Sequence, residues 1–464
     1  MRLPGFIDSH MHVLGLGYVY FNLDLTVARS IEDIKDIIRK SNNKKVIIGR
    51  GWNQEELTEK KMPTKNDLNS ASSDIPVLIV RVCGHVIVVN DKMLELAGID
   101  TETKQISGGE FSFKTGIFSE KAINLIYSKL PKATKQDLKK YLIKANQILL
   151  SNGVTSVASD DFSTLSVDYE LVMETIKELY EEELLQVRIT EQVNLKYDKL
   201  QDFINKGYVN KQFGKFKMGP LKILADGSLG GKTAFLLKPY ENELDNFGTQ
   251  TFSDEDLFKL VHLANSNKMD VVIHAIGDGA IEQALNILIK SIKLTKRYEH
   301  NHALIHAQMA TNNQIDLMKA WGIGAIVQPI FLNTDIPIIE SRIGSRYMES
   351  YLFKTMFDKG VNVGFSTDNP IEPVNPFYNI YTAISRKSIK FPELKPFIKE
   401  ESFDIESALK CYTINNLKYV YQDVLPKGDY VTVDKDIHLC NIDEIKTIKI
   451  FETFIDNVKV FNRN

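Results

Sequence analysis

His10 and His12 stand one residue apart in the opening run GFIDSHMHV (residues 5–13). Successive side chains of a strand point to opposite faces, so histidines at this spacing share a face and can grip one cation. The plain alternative is two ordinary polar residues at a strand end. Farther along, His274 interrupts VVIHAIG (271–277), His306 interrupts ALIHAQM (303–309), and Asp368 closes VNVGFSTD (361–368). Taken singly, each histidine reads as a satisfied core residue and the aspartate as a helix cap. Lys222 lies inside PLKILAD (220–226), on a strand that should be buried on both faces. An unpaired buried ammonium is strongly unfavourable, so Lys222 requires a partner such as Asp226 or a lowered pKa. Coincidence explains the whole set poorly.

The elements that would position these residues are legible in the pattern. From residue 153 onward, short β-branched runs (153–159, 187–193, 220–226, 271–277, 303–309, 323–329 and 361–368) alternate with amphipathic stretches such as 134–153 and 253–268. Ser253 is placed to cap the latter helix, with acidic residues in its first turn. Continuous apolar strands alternating with helices indicate a parallel sheet covered on its outer face. With residues 6–13 the strands number eight, which predicts an α/β fold, a (β/α)8 TIM-type barrel with its active site at the C-terminal ends of the strands.

Residues 14–150 are far too many for a loop. They carry strand-like runs at 44–53 and 75–90 and a helix at 91–98, and are expected to form an inserted subdomain over the barrel mouth. Residues 1–13 and 151–425 would make the barrel, and 426–464 a small β appendage with a hairpin turn at Asp456-Asn457.

The chain has 464 residues, 43% of them hydrophobic and 25% charged, with a formal charge of −3. That balance argues for a globular protein and against nucleic acid or an anionic membrane as partner. No apolar run is long enough to span a bilayer and no leader peptide is visible. Cys83, Cys411 and Cys440 are too scattered for a disulfide framework or a thiolate zinc site, which points to the reducing cytoplasm. A small-molecule substrate is the expected partner, and a homodimer is one admissible assembly.

The segments FIDSHMH, LKILADGSLGGKTA, HAIGDGAI, IHAQM and FSTDNPIEPVNP together resemble the amidohydrolase superfamily of metal-dependent hydrolases. GWNQEEL, RVCGHVIVVN, GVTSV and ADGSLGGKTA are similar to the branch that contains N-substituted formamide deformylase. The resemblance implies that His10, His12, Lys222 as a carboxylated lysine, His274, His306 and Asp368 bind one or two divalent ions. Imidazole and carboxylate donors without a thiolate make zinc the first expectation, with manganese and iron open. It also implies that Asp368 acts as general base and then general acid. Members of the family carry a β segment before the His-x-His that pairs with C-terminal strands. Only nine residues precede His10, so the appendage is expected to be reduced to its C-terminal half, or the chain to be shortened.

Weaker candidates accompany these. Arg81, His85 and Asn90 match a branch motif and would contact substrate, or else form an ion pair and a turn. Trp52 would line a pocket or a core. Asp278 would orient a ligand or cap a helix. GGKT at 230–233 is not a phosphate loop, because Asp226 occupies the position that needs glycine. The expected activity is hydrolysis of a non-peptide C–N bond, an amide or formamide. A one-metal deaminase and a non-catalytic binding protein are the alternatives.

Overall fold

The computed structural model describes residues 1–41, 45–82, 84, 86–106, 109–120, 122–165 and 167–463. It contains two compact units, residues 1–17 with 134–464 and residues 18–133.

The larger unit is built on eight parallel strands. They are β1 (Phe6–Met11), β2 (Val154–Ser159), β3 (Arg188–Val193), β4 (Phe216–Leu224), β5 (Val271–Ala275), β6 (Ala303–His306), β7 (Gly324–Val327) and β8 (Val363–Phe365). Their order in the sheet is their order in the chain. Every residue of β1 and β2 is buried, so neither strand shows the inside–outside alternation of a half-exposed one. Capped helices lie between the strands, and Ser253 caps its helix as expected. Thr134 and Asp137 form a capping box for Lys135–Ser151, and Ser253 accepts from Asp256 N at the start of Asp254–Ser266.

Side chains and loop backbone join β8 to β1. Asp368 N donates to His10 O (2.9 Å) and His12 N to Asn369 O (2.8 Å). The buried Asn416 amide donates to both Ile7 O (2.5 Å) and Phe365 O (2.8 Å), one carbonyl on each strand. Thr367 Oγ1 donates to the buried Asp8 carboxylate at 2.6 Å.

Two expectations change here. The terminal appendage is a four-stranded antiparallel sheet in the order Arg2–Pro4, Tyr430–Val433, Ile450–Ile455, Val458–Asn462. It is therefore not reduced to its C-terminal half, because residues 2–4 pair with 430–432. Its hairpin turns at Asp456 (φ +54°) and Asn457 (φ +62°), the left-handed pair that a two-residue turn requires. Second, the division between units falls after Ala133, not after residue 150. Helix Lys135–Ser151 packs on β2 and on the terminal sheet. Gly153, at φ +74°, follows it where a side chain would strike Ile450 and Val431.

The smaller unit has a six-stranded mixed sheet in the order Leu23–Asp24, Ile47–Trp52, Val77–Arg81, Val86–Val89, Ile117–Glu120, Gly109–Ser112. Alternation sorts its central strand between two cores. Val77 and Ile79 pack with Ile34, Ile38 and Leu68 on one face, and Leu78 and Val80 with Met93, Leu94 and Ile126 on the other.

Candidate functional site

The barrel brings the dispersed histidines to one place, at the C-terminal ends of its strands. Nε2 of His10 and Nε2 of His12 each lie 3.3 Å from Asp368 Oδ1. That separation is close to the edge, roughly 3.4 Å, of a tetrahedron whose metal–ligand bonds are about 2.1 Å. His10, His306 and Asp368 each present a ligand atom within 4.8 Å of the other two, and all three residues are buried. The His274 and His306 rings meet edge to face with centroids 4.4 Å apart.

Each imidazole is turned by a partner on its far side. His10 Nδ1 lies 2.6 Å from Gln192 Oε1, His12 Nδ1 2.8 Å from Asp160 O, and His306 Nδ1 2.7 Å from Gln328 Oε1. The glutamine orientations follow from their other ends, which donate to Ser9 O and to Ser366 Oγ. Since these oxygens only accept, Nδ1 carries a hydrogen in all three rings and Nε2 points inward. In His274 the roles reverse. Its Nε2 faces Gly227 O at 3.1 Å and Asp226 Oδ1 at 3.3 Å, which leaves Nδ1 as the free donor atom. Imidazole and carboxylate donors with no thiolate suit a borderline or hard divalent ion.

The charges of the rings and the carboxylate are coupled. Burial, reinforced by Lys222, lowers His10 to about 4. Burial also opposes charge on His12, yet the Asp368 carboxylate raises that ring to about 9. Asp368 is held well below the usual carboxylate range by the facing His10 and His12, against its own burial. His306 (φ +73°) and Asp368 (φ +54°) both sit in left-handed backbone conformations. Residues without glycine's freedom hold such conformations at a cost, which is a mark of functional positions.

Lys222 is buried in the same chamber, with Nζ 3.5 Å from His10 Nε2. Burial lowers it to about 8, opposed by Asp160 and Asp368. The ion pair with Asp226 that would explain it structurally does not form. The Asp226 carboxylate instead accepts from the backbone of Phe235, Ile276 and Gly277 and faces His274.

The other candidates divide. Asp278 accepts from Leu237 N and Gly279 N at a helix start, and the aspartate that faces the His274 ring is Asp226. In the smaller unit Trp52 is fully buried in a hydrophobic core, and its ring has no open face for a ligand. Asn90 caps the following helix and ties Val77 N, Ser72 O and Ile75 O together. Arg81 donates to Gln54 and Asn53. His85 and Cys83 lie outside the described residues. Sequence reasoning missed Gln192 and Gln328. Their signal was present as lone amides in the apolar runs VRITEQV and IGAIVQP.

Comparison with known proteins agrees with this geometry. The amidohydrolase family profile matches residues 1–458. The putative amidohydrolase YtcJ of Bacillus subtilis is 30% identical, across 100% of this chain and 89% of its own length. N-substituted formamide deformylase of Arthrobacter pascens is 20% identical, across 99% of this chain and 88% of its own. The crystal structure of an uncharacterized metal-dependent hydrolase from Pyrococcus horikoshii superposes with a TM-score of 0.81 at 29% identity, covering 95% of this chain and 87% of the other. Among the described residues, no helix is long and apolar enough to cross a membrane.

Proposed function

The chain belongs to the amidohydrolase family, and on that premise we propose that this hydrolase cleaves a non-peptide C–N bond, an amide or formamide. The observation that carries the reading is the convergence of His10, His12, His306 and Asp368, with three rings turned so that Nε2 faces the carboxylate side. These residues, with His274 and Lys222, would hold one or two divalent ions, zinc first. Bound there, such an ion would supply Lewis acidity, lowering the pKa of a water and polarising a carbonyl oxygen.

The chain's own groups do the rest. Asp368 takes a proton from the water that attacks the carbonyl carbon. It returns that proton to the nitrogen as the C–N bond breaks, so the products are a carboxylic acid and an amine. Gln192, Gln328 and the Asp160 carbonyl keep three imidazoles in the tautomer that leaves Nε2 unprotonated. Lys222, buried beside His10 without a carboxylate at ion-pair distance among the described residues, is the amine that would add carbon dioxide. That addition releases one proton and creates an anionic oxygen donor on the chain.

The substrate is a small molecule in the cytoplasm, met by the protein as a monomer or homodimer. The test is to load the protein with zinc and screen N-substituted formamides, cyclic amides and aminopurines. Release of carboxylic acid and amine supports the reading, and no turnover of any amide overturns it. The compactness of the His10–His306–Asp368 triad favours a second reading, a one-metal deaminase with an unmodified Lys222. Ammonia released from an aminopurine would identify it.

A further inference from the structure

Glu372 belongs to no part of the reaction just described, yet its carboxyl group is near enough to Asp368 to feel that residue's charge. It follows Asp368 by four residues and is only 8% exposed. The Asn369 amide, next to Asp368, donates to its backbone carbonyl at 2.7 Å. Its carboxyl group is hydrogen-bonded by the Asn333 side chain. Asn333 is itself fixed, accepting from Ile389 N at 2.6 Å and from Ser388 Oγ at 3.1 Å. Two residues before Asn333, the Phe331 ring stacks on the candidate ligand His306 at 5.6 Å and 23°. Glu372 is thus tied to the metal ligands from two directions, through Asn369 to Asp368 and through Asn333 and Phe331 to His306.

Among the described residues no Lys, Arg or His pairs with Glu372 at ion-pair distance. The half-buried carboxylate of Asp335 and the buried one of Asp368 repel its charge, and Lys390 partly offsets them. Burial and those two carboxylates push Glu372 up to about 8. A buried carboxylate without a cation is costly, and the cost vanishes when a cation arrives with the ligand. Phe331, two residues from Asn333, is half-buried against His306 and offers an apolar ring face.

We propose that Glu372 determines substrate specificity by binding a protonated amine carried on an apolar arm of the substrate, the arm lying against Phe331. This rests on the amide-hydrolysis reading for its meaning, but its test is a binding measurement that needs no turnover. The probe is n-hexylammonium, with n-hexanol as its neutral counterpart, titrated calorimetrically into zinc-loaded protein at pH 8.5. At that pH Glu372 is ionised, while an alkylamine with a pKa near that of lysine, about 10.4, is still protonated.

The wild-type protein should bind the ammonium at least tenfold more tightly than the alcohol. Glu372→Gln, nearly isosteric, should erase that preference and change hexanol binding less than twofold. Phe331→Ala should weaken both probes alike. Equal binding of the two probes by the wild-type protein overturns the proposal whatever the variants do. A preference that survives Glu372→Gln also overturns it, since the amine would then be held by the metal or by another carboxylate. If every amide resists hydrolysis while the ammonium preference and its loss in Glu372→Gln are observed, the hydrolysis reading fails and the binding site stands.

Discussion

Nδ1 of His306 lies 2.7 Å from Oε1 of Gln328, and the same amide donates to Ser366 Oγ at 2.6 Å. A residue on the tip of β6 is thus aimed by one just past β7 and anchored by one just past β8. Gln192 plays the corresponding part for His10 from β3, with its other end on Ser9 O. Partners of this kind typically contribute 10–100-fold to metal affinity. Gln328→Leu and Gln192→Leu should each weaken zinc binding by about that factor while the fold persists. Competition with a chelating indicator measures it, and affinity unchanged within twofold would remove these residues from the site.

Asp368→Asn should keep at least half of the bound metal and lose turnover by about 10²–10⁴-fold, because an amide neither takes up nor returns a proton. Its Oδ1 lies 3.3 Å from both His10 and His12, so the amide oxygen can occupy the same place. Metal analysis alongside kcat on any substrate found in the screen separates the two effects. A near wild-type rate would show that another group is the base.

Lys222→Ala should reduce metal stoichiometry from two to one. In wild-type protein equilibrated with 13C-labelled bicarbonate, a carbamate carbon resonance should be present, and the variant should lack it. Two ions retained by Lys222→Ala, or no carbamate signal in the metal-replete wild type, would favour the one-metal reading.

Asp335 offers a pH test away from the metal. It is half-buried and accepts from the Tyr351 hydroxyl and from Gln308 Nε2. Burial raises it from 3.8 to about 6, with Tyr351 and Gln308 opposing the rise. The folded state therefore binds more protons than the unfolded chain between these values, and wild-type stability falls as pH rises through that window. Asp335→Asn removes this loss. The stability of the variant relative to wild type should increase between pH 4 and pH 7, by at most about 3 kcal/mol. Chemical denaturation at both pH values measures it, and a difference that is flat or falls with pH contradicts the assignment.

Asn416→Ala strikes the barrel seam. Its side chain is fully buried and donates to a carbonyl on each of β1 and β8. Loss of both bonds should cost about 3 kcal/mol, and because the seam carries His10 and Asp368, it should also lower metal content. A denaturation midpoint unchanged from wild type would show that the remaining seam contacts suffice.

The eight strands, the helix over 134–153, the helix capped at Ser253 and the turn at Asp456-Asn457 were legible locally, since each is specified by periodicity or by residues close in sequence. His10, His12, Lys222, His274, His306 and Asp368 were legible as polar residues in runs that ought to be apolar. That signal is strong because burying such groups without partners is costly. What lay beyond the sequence was partnership across large separations. Lys222 could have paired with Asp226, four residues away, and only the folded barrel turns Asp226 to His274 and Lys222 to His10. Residues 2–4 hold too few side chains to signal a strand, and they become one only when 430–432 lie alongside. Asp278 had two equal readings in the chain and Trp52 leaned towards a core position, and the backbone bonds of one and the burial of the other decided them. Secondary structure is set mainly by near neighbours, whereas the tautomer of a ring or the partner of a buried charge is set by whatever packing brings within 3 Å.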